Sequence, residues 1–572
     1  MTALSGGQAA RAQIPDWSRF RPLSSPVSKP ADFARSRLSS PAHFHYYVTM
    51  RAPTLTPRFS FLMTLIIFVV LHAIFALELY FDLMAALPHS HLPTMTDLWH
   101  VLDGSAVMSR ASGTTISRAY NVLVSLVITS IALAVPLTAN MYTPKLIDIF
   151  ISDRVNVTVL TFFVLSAAHA IWTAQATWDQ GPLRDVGGFY PRIALWVGFE
   201  TMTLGWAIVI PYFLYVLRCL HPGNIISRVS AQVTNQFDRI PREPDGAFEE
   251  VQVDLEQQIQ HMGNVMLRAV DRADRDVTLD SIHALQSILE RYQLAKRDLP
   301  PGWYKVPDHL FIGASKEGIQ LLRDQRIWVE QKCLHQLALA YNSTLTKMQD
   351  AISSISYVSR QLALHADTQN DAGTLNLGVR YINTFIREAI KRKDVHAIFD
   401  IFHQYKELAN ELVDRRGSVV LEISKHLTYY AELARMAGLP FIYELAAYDL
   451  ENMVECAYPK KATVREEMLG LLLSLDALPG SSRIVKAKLL AGGFFRANTL
   501  NEEAARVKGH LSVLPQALVE SAVRDLVETH SPVFWEVTDR QVNIDYVDEE
   551  RRRQIQVLVA SIEFTKSAAP AK

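Results

Sequence analysis

Three ionisable side chains fall inside otherwise apolar runs of this sequence: His72, His169 and Glu200. At the depth of a bilayer an ionisable group costs roughly 2.5–3.5 kcal/mol on insertion scales, so each needs a partner or a role. At 1.5 Å per helical residue, Glu200 and His169 each fall about 10 Å below the outer end of their run, and His72 about 13 Å below the end of its own. Glutamate and histidine at one level can stabilise each other's charged forms, which is the chemistry of a proton relay or a cation site. Neutral histidine and protonated glutamate can equally serve as hydrogen-bonding glue between helices. Glu78 lies close enough to the interface to reach water.

Other candidates carry less. His89, His91, Asp97, His100 and Asp103 crowd one loop, but no spacing among them matches a recognised metal motif such as H-E-x-x-H. Three cysteines, Cys219, Cys333 and Cys456, stand far apart, which argues against a disulfide framework or a thiolate zinc site. No phosphate loop, nucleophile elbow or kinase signature occurs. The densest polar–aromatic cluster is Phe534 to Arg540 followed by Asn543, Asp545 and Tyr546, read as a terminal cap docking on helices. No catalytic residue, cofactor or metal is expected, and the chain is not read as an enzyme.

The elements that must position these groups are four apolar stretches: Phe59 to Phe81, Ala119 to Met141, Asn156 to Gln175 and Ile193 to Leu217. Each reaches or exceeds the roughly 20 residues that cross a hydrocarbon core as a helix. The overall net charge of -1 and 20% charged residues conceal a division. Between Phe59 and Leu217 there are 15 charged residues in 159; from Arg218 onward there are 90 in 355. Two physical environments share one polypeptide. The first 58 residues, rich in Pro, Ser and Arg with only Asp16 and Asp32 as acids, are expected to be a disordered basic arm.

Loop charges set the orientation. Arg51 and Arg58 precede the first stretch, Lys145 and Arg154 lie between the second and third, and Arg218, Arg228, Arg239 and Arg242 follow the fourth. This places both termini in the cytoplasm. Ser130, Ala134 and Thr138 form one row of small residues and Ser166, Ala170 and Ala174 another, read as packing seams between spans two and three. Pro136 and Pro211 are candidates for kinks.

Beyond Leu217 a Pro222-Gly223 break leads into Ile225, Ile226, Val229, Val233 and Phe237, one apolar helical face. It fits either the membrane surface or the first core helix of the water-facing part. From Val251 helical periodicity is nearly continuous: Leu279, Ile282, Leu285, Leu289 and Tyr292; Leu334, Leu337, Tyr341 and Leu345; Val395, Ile398, Phe402, Tyr405, Leu408 and Leu412. Thr463-x-x-Glu466 and Thr499-x-x-Glu502 read as capping boxes, and Asp276 and Asp394 as caps. Pro300-Pro301-Gly302, Gly438 to Pro440 and Pro479-Gly480 punctuate helix groups. Leu267-Arg268 leading to Arg275-Asp276-Val277 echoes Ile386-Arg387 leading to Lys393-Asp394-Val395, and a third pair runs from Val485 to Leu511, turning near Asn498. Helical-hairpin stacking of the tetratricopeptide kind and an irregular helical domain both fit, since the period is uneven.

Two further segments point to a family. Leu126 to Arg154 contains Ile131-Ala132-Leu133, Thr143-Pro144-Lys145-Leu146-Ile147 and Phe150-Ile151-Ser152-Asp153-Arg154; Asn224-Ile225-Ile226-Ser227-Arg228 follows the last span. These resemble the second span, its loop and the juxtamembrane segment of a bacterial family of predicted membrane proteins, a domain of unknown function. The resemblance covers roughly Phe59 to Arg239. It implies an inner-membrane location and brings no catalytic residues.

The expected architecture is all-α. Residues 1–58 form the arm, 59–217 a four-helix transmembrane bundle, 218–250 a juxtamembrane linker or helix, 251–530 a repeat-like helical domain, and 531–572 a cap and tail. The leading reading is a membrane-anchored scaffold or sensor that contacts the lipid bilayer and a cytoplasmic protein, without nucleic acid. The alternative is a homo-oligomeric channel or transporter using His72, His169 and Glu200.

Overall fold

In the computed structural model the described residues are 106–142, 153–176, 192–240, 248–534 and 543–564, with scattered positions between 65 and 151. All regular structure among them is helical. Three helices are long and apolar enough to cross a membrane, over Ala111–Met141, Arg154–Gln175 and Ile193–Cys219. They belong to α1 (Ala106–Met141), α2 (Arg154–Ala176) and α3 (Arg192–Cys219). The expected first stretch, Phe59 to Phe81, lies largely outside the described residues, as do most of the basic arm and most of the loop holding His89 to Asp103. The span anticipated from Ala119 starts earlier, because Ser112, Thr114 and Thr115 interrupt hydropathy without breaking the helix. Thr115 returns its hydroxyl to the Ala111 carbonyl at 2.7 Å.

The three helices meet through small residues. Ser166 and Ala170 of α2 are buried, and Ser130, Ala134 and Thr138 of α1 are half-buried, as the seam reading requires. Tyr120 and Phe163 pack with ring centroids 6.4 Å apart. A Cβ added at Gly205 of α3 would come within 3.2 Å of Leu123 and 3.3 Å of the Tyr120 hydroxyl. Outward faces carry Leu133, Leu165, Trp172 and Ile193, all largely exposed, as lipid-facing positions are. Pro136 and Pro211 both lie inside their helices.

After the spans come α4 (Pro222–Phe237), α5 (Phe248–Asp271), α6 (Arg275–Ala295), α7 (Lys316–Asp324), α8 (Trp328–Thr344), α9 (Gln349–Thr368), α10 (Ala372–Arg392), α11 (Val395–Leu412), α12 (Gly417–Met436), α13 (Pro440–Ala457), α14 (Arg465–Ser474), α15 (Arg483–Ala497), α16 (Asn501–Ser512), α17 (Gln516–Glu528) and α18 (Glu549–Ala560). They share one hydrophobic core, into which α4 sinks Ile225, Ile226, Val233 and Phe237. That burial decides for a core helix over one lying on lipid. Trp303 and Trp328 pack 5.3 Å apart, and Tyr341 stacks on Phe385 at 4.6 Å.

One turn design recurs along this array. Ala273, Asn370 and Lys393 each adopt a left-handed backbone, φ 56°, 56° and 54°. The aspartate that follows donates its N–H back to a carbonyl five residues earlier: Asp274 to Ala269 at 2.9 Å, Asp371 to Ala366 at 2.9 Å, Asp394 to Ala389 at 3.1 Å. Its carboxylate then accepts the N–H of Val277, Thr374 or Ala397 and opens the next helix. One residue closes one helix and caps its successor, and each cap is worth about 1 kcal/mol.

This turn corrects several expectations. Asp394 caps as expected, but the partner of the echo is Asp274, two residues before Asp276, because Ala273 ends the preceding helix. Neither capping box forms: α14 begins after Val464 and α16 after Leu500, with no side-chain cap. Thr499 is itself the left-handed residue, φ 60°, and Glu466 reaches Tyr458 and Arg506 instead. The expected turn near Asn498 is present. Val395, counted into an apolar stripe, is 42% exposed.

The terminal cluster splits. Residues 535–542 lie outside the described set, whereas Asp545 docks on the array, accepting from Tyr448 at 2.6 Å and Lys486 at 3.0 Å. Helix α18 then lies against α15 at Gly492 and Gly493, where an added Cβ would run into Leu558 or Ile555. Substituting Gly493→Val is expected to unseat α18 and destabilise the array by about 2 kcal/mol. Thermal unfolding would read this, with faster proteolysis after Glu549 as the local signature.

Candidate functional site

Of the three intramembrane groups, His72 lies outside the described residues. His169 and Glu200 are half-buried on facing helices. The His169 ring comes within 3.9 Å of where a Cβ at Gly198 would stand, beside Ile116 at 3.6 Å. Thus α2 meets α3 at Gly198, two residues from Glu200. His169 Nδ1 is buried and has no hydrogen-bond partner among the described residues. No group of three or more His, Cys, Asp or Glu suited to a metal occurs among the described residues.

A well-connected polar site lies at the array-side end of the spans. Tyr215, near the end of α3, donates its hydroxyl to both oxygens of Asp153, at 2.9 and 2.8 Å. Arg228 of α4 donates Nη1 to Asp153 Oδ2 at 3.0 Å and Nη2 to Cys219 Sγ at 3.4 Å. The Val155 N–H completes the set at 2.9 Å. Burial alone would raise the Asp153 carboxyl, but the Tyr215 hydroxyl, the Val155 N–H and the Arg228 guanidinium together hold it below its ordinary value. Beside it the Asn156 amide donates to the Phe150 carbonyl at 3.0 Å. This latch ties α2, α3 and α4 at one point.

A second joint fixes α1. Tyr142, just past the helix, donates to Asp274 Oδ2 at 3.3 Å while Arg272 lies over its ring at 5.5 Å. Arg268 donates to the Asn140 carbonyl at 3.1 Å. Ala139 and Tyr142 join the core of the array rather than that of the spans.

Residues 57–301 match a family model. Its description is Predicted membrane protein (DUF2254). This chain is a membrane protein, similar to that family over those residues. No curated protein and no solved structure matches it. The match extends the resemblance beyond Arg239 to Pro301, the middle of the Pro-Pro-Gly break. It therefore includes the three described spans, α4, and the α5–α6 hairpin. Every residue of the latch and of the Tyr142 joint falls inside it. The two segments that carry the resemblance contain Asp153 and Arg228, the two halves of one ion pair. Sequence reasoning quoted both without pairing them; opposite charges flanking successive spans on one side were the available signal.

Expected of Arg228→Met is a loss of roughly 1 kcal/mol in stability, read by thermal unfolding of the intact protein. Arg228→Lys, which keeps the charge near Asp153, should restore much of the stability.

Deeper in the array, charges are paired across helices. Lys296 of the turn after α6 reaches Glu330 of α8 at 2.6 Å and Asp371 at 2.5 Å, with Thr374 bonding both acids. Burial raises the Glu330 carboxyl and Lys296 opposes it. Toward the end of the chain, Glu451 and Glu455 of α13 share Arg551 of α18. Burial first, and the Glu451 charge second, push Glu455 up to about 10 against the pull of Arg551. The folded protein therefore holds a proton that the unfolded chain has released above its ordinary value near 4.5, so stability falls as pH rises between those limits. Glu455→Gln removes this titration. Its melting temperature is expected to drop less than that of the wild type between about pH 5 and pH 9.

Proposed function

We propose that this chain is a scaffold or sensor anchored in the inner membrane by four spans, with both termini and the helical array in the cytoplasm, where the array binds a protein partner. The observation that carries the reading is the double attachment of spans to array. The end of α1 is held by Tyr142, Arg268 and Asp274, and the ends of α2 and α3 by Asp153, Tyr215 and Arg228. A tilt of one span would be delivered to α4 and the α5–α6 hairpin rather than absorbed by a slack linker. Arg218, Arg228 and Arg239 on the array side favour the cytoplasmic face. Successive hairpins offer the broad surface on which helical arrays bind other proteins.

The second reading, a channel or transporter, has one observation in its favour: the buried His169 Nδ1, on a ring whose Cε1 packs against Gly198 of α3. A single experiment pair separates them. Photo-crosslinkers placed along α9 to α15 of the full-length chain in its native membrane are expected to trap one recurrent cytoplasmic protein. In proteoliposomes Glu200→Gln is expected to leave ion and proton flux unchanged. Flux abolished by Glu200→Gln in a folded protein, with no recurrent crosslink, reverses the ranking.

A further inference from the structure

The position of the Tyr142 joint identifies one edge of the array as its membrane side. The α5–α6 turn, which receives Tyr142 at Asp274, lies on that edge. Arg275, next in the chain, bonds Asp350 at the start of α9 at 2.5 Å. The turn between α8 and α9 is in turn joined to that between α10 and α11, where the Thr346 N–H donates to Asp394 at 2.8 Å. Helices α10 and α12 run in the same direction side by side, with Asn383 and His426 3.2 Å apart, so α12 brings Met436 to the edge where α10 brings Lys393. Three consecutive turns, at 345–349, 391–396 and 435–441, thus continue the line that begins under the spans.

The chemistry of that line is uneven. Lys347, Lys391, Arg392 and Lys393 are exposed. The neighbouring acids are engaged: Asp394 as cap and as acceptor for Thr346, Glu388 with Lys391, Asp350 with Arg275, Glu432 with Arg435. Among the described residues Lys347, Arg392 and Lys393 form no ion pair. Cations at a helix C-terminus suit its dipole, but the dipole does not explain the apolar side chains beside them. Val395 is 42% exposed, Met436 74% and Phe441 36%, each at a turn with buried core immediately behind it. Basic residues interleaved with exposed apolar ones are what an interfacial segment needs to meet an anionic lipid surface.

We propose that this edge, through Lys347, Arg392, Lys393, Val395 and Met436, rests on anionic headgroups of the same bilayer that holds the spans. The contact is independent of any protein bound elsewhere on the array. A basic side chain near such a surface contributes about fivefold to the equilibrium, so three give an attachment that titrates with salt.

The test uses the full-length chain in nanodiscs, one copy per disc, of phosphatidylcholine alone or with about 30% phosphatidylglycerol. Hydrogen exchange at 391–396 and 435–441 is expected to slow at least about tenfold in the anionic discs, while 412–416 at the opposite edge stays unchanged. The double substitution Lys347→Glu with Arg392→Glu should remove that slowing, and high salt should remove it from the wild type without any substitution. Equal exchange in the two lipids overturns the proposal. So does protection that survives both charge reversal and salt, or protection that appears only in discs holding two copies, which assigns the edge to a second copy.

Discussion

A polypeptide that leaves hydrocarbon for water must satisfy, at the border, polar groups that neither medium serves well. Here Asp153 does that for three helices. It accepts from Tyr215 of α3, from Arg228 of α4 and from the Val155 N–H at the start of α2. Because each donor comes from a different element, their relative rotation is fixed by one carboxylate. Helix α4 then enters the array already oriented, with Ile225, Ile226, Val233 and Phe237 facing inward. The array has no other described covalent route from the spans, so its register against the membrane depends on this point and on the Tyr142 joint.

The helical character of the chain could be read from periodicity, and so could most of its core. Ile282, Leu285, Leu289 and Tyr292 are buried where the 3.6-residue spacing places them, as are Leu334, Leu337, Tyr341 and Leu345, while Leu279 is half-buried. Spans were legible because hydropathy is a bulk property that a few threonines do not cancel. Less legible were the helix starts. A threonine three residues before a glutamate satisfies the pattern of a capping box at both 463 and 499, yet the backbone at Thr499 is left-handed and leaves no cap geometry. At the candidate site, the shared level of His169 and Glu200 followed from counting residues, whereas the latch did not. Asp153 and Arg228 are 75 residues apart, and nothing local in either segment announces the other.

The recurrent turn also accommodates helices of uneven length. A left-handed residue followed by aspartate reverses the chain in two residues whatever the lengths of the flanking helices, so α5 at 24 residues and α11 at 18 are joined to their neighbours by the same corner. Constancy resides in the corner and not in the period. That is why an echo of sequence was visible around Lys393-Asp394 while no consensus repeat was.

The pairing of Glu451 and Glu455 with Arg551 spans 100 residues and has a bearing on biogenesis. Helix α13 leaves the ribosome with two neighbouring acids whose shared guanidinium has yet to be translated. The charge that matches them lies on the last described helix, so the α13–α18 corner is complete only when both ends of the array are present. A chain cut short of Arg551 would leave Glu451 and Glu455 side by side with no guanidinium between them, and α18 without the charge that seats it.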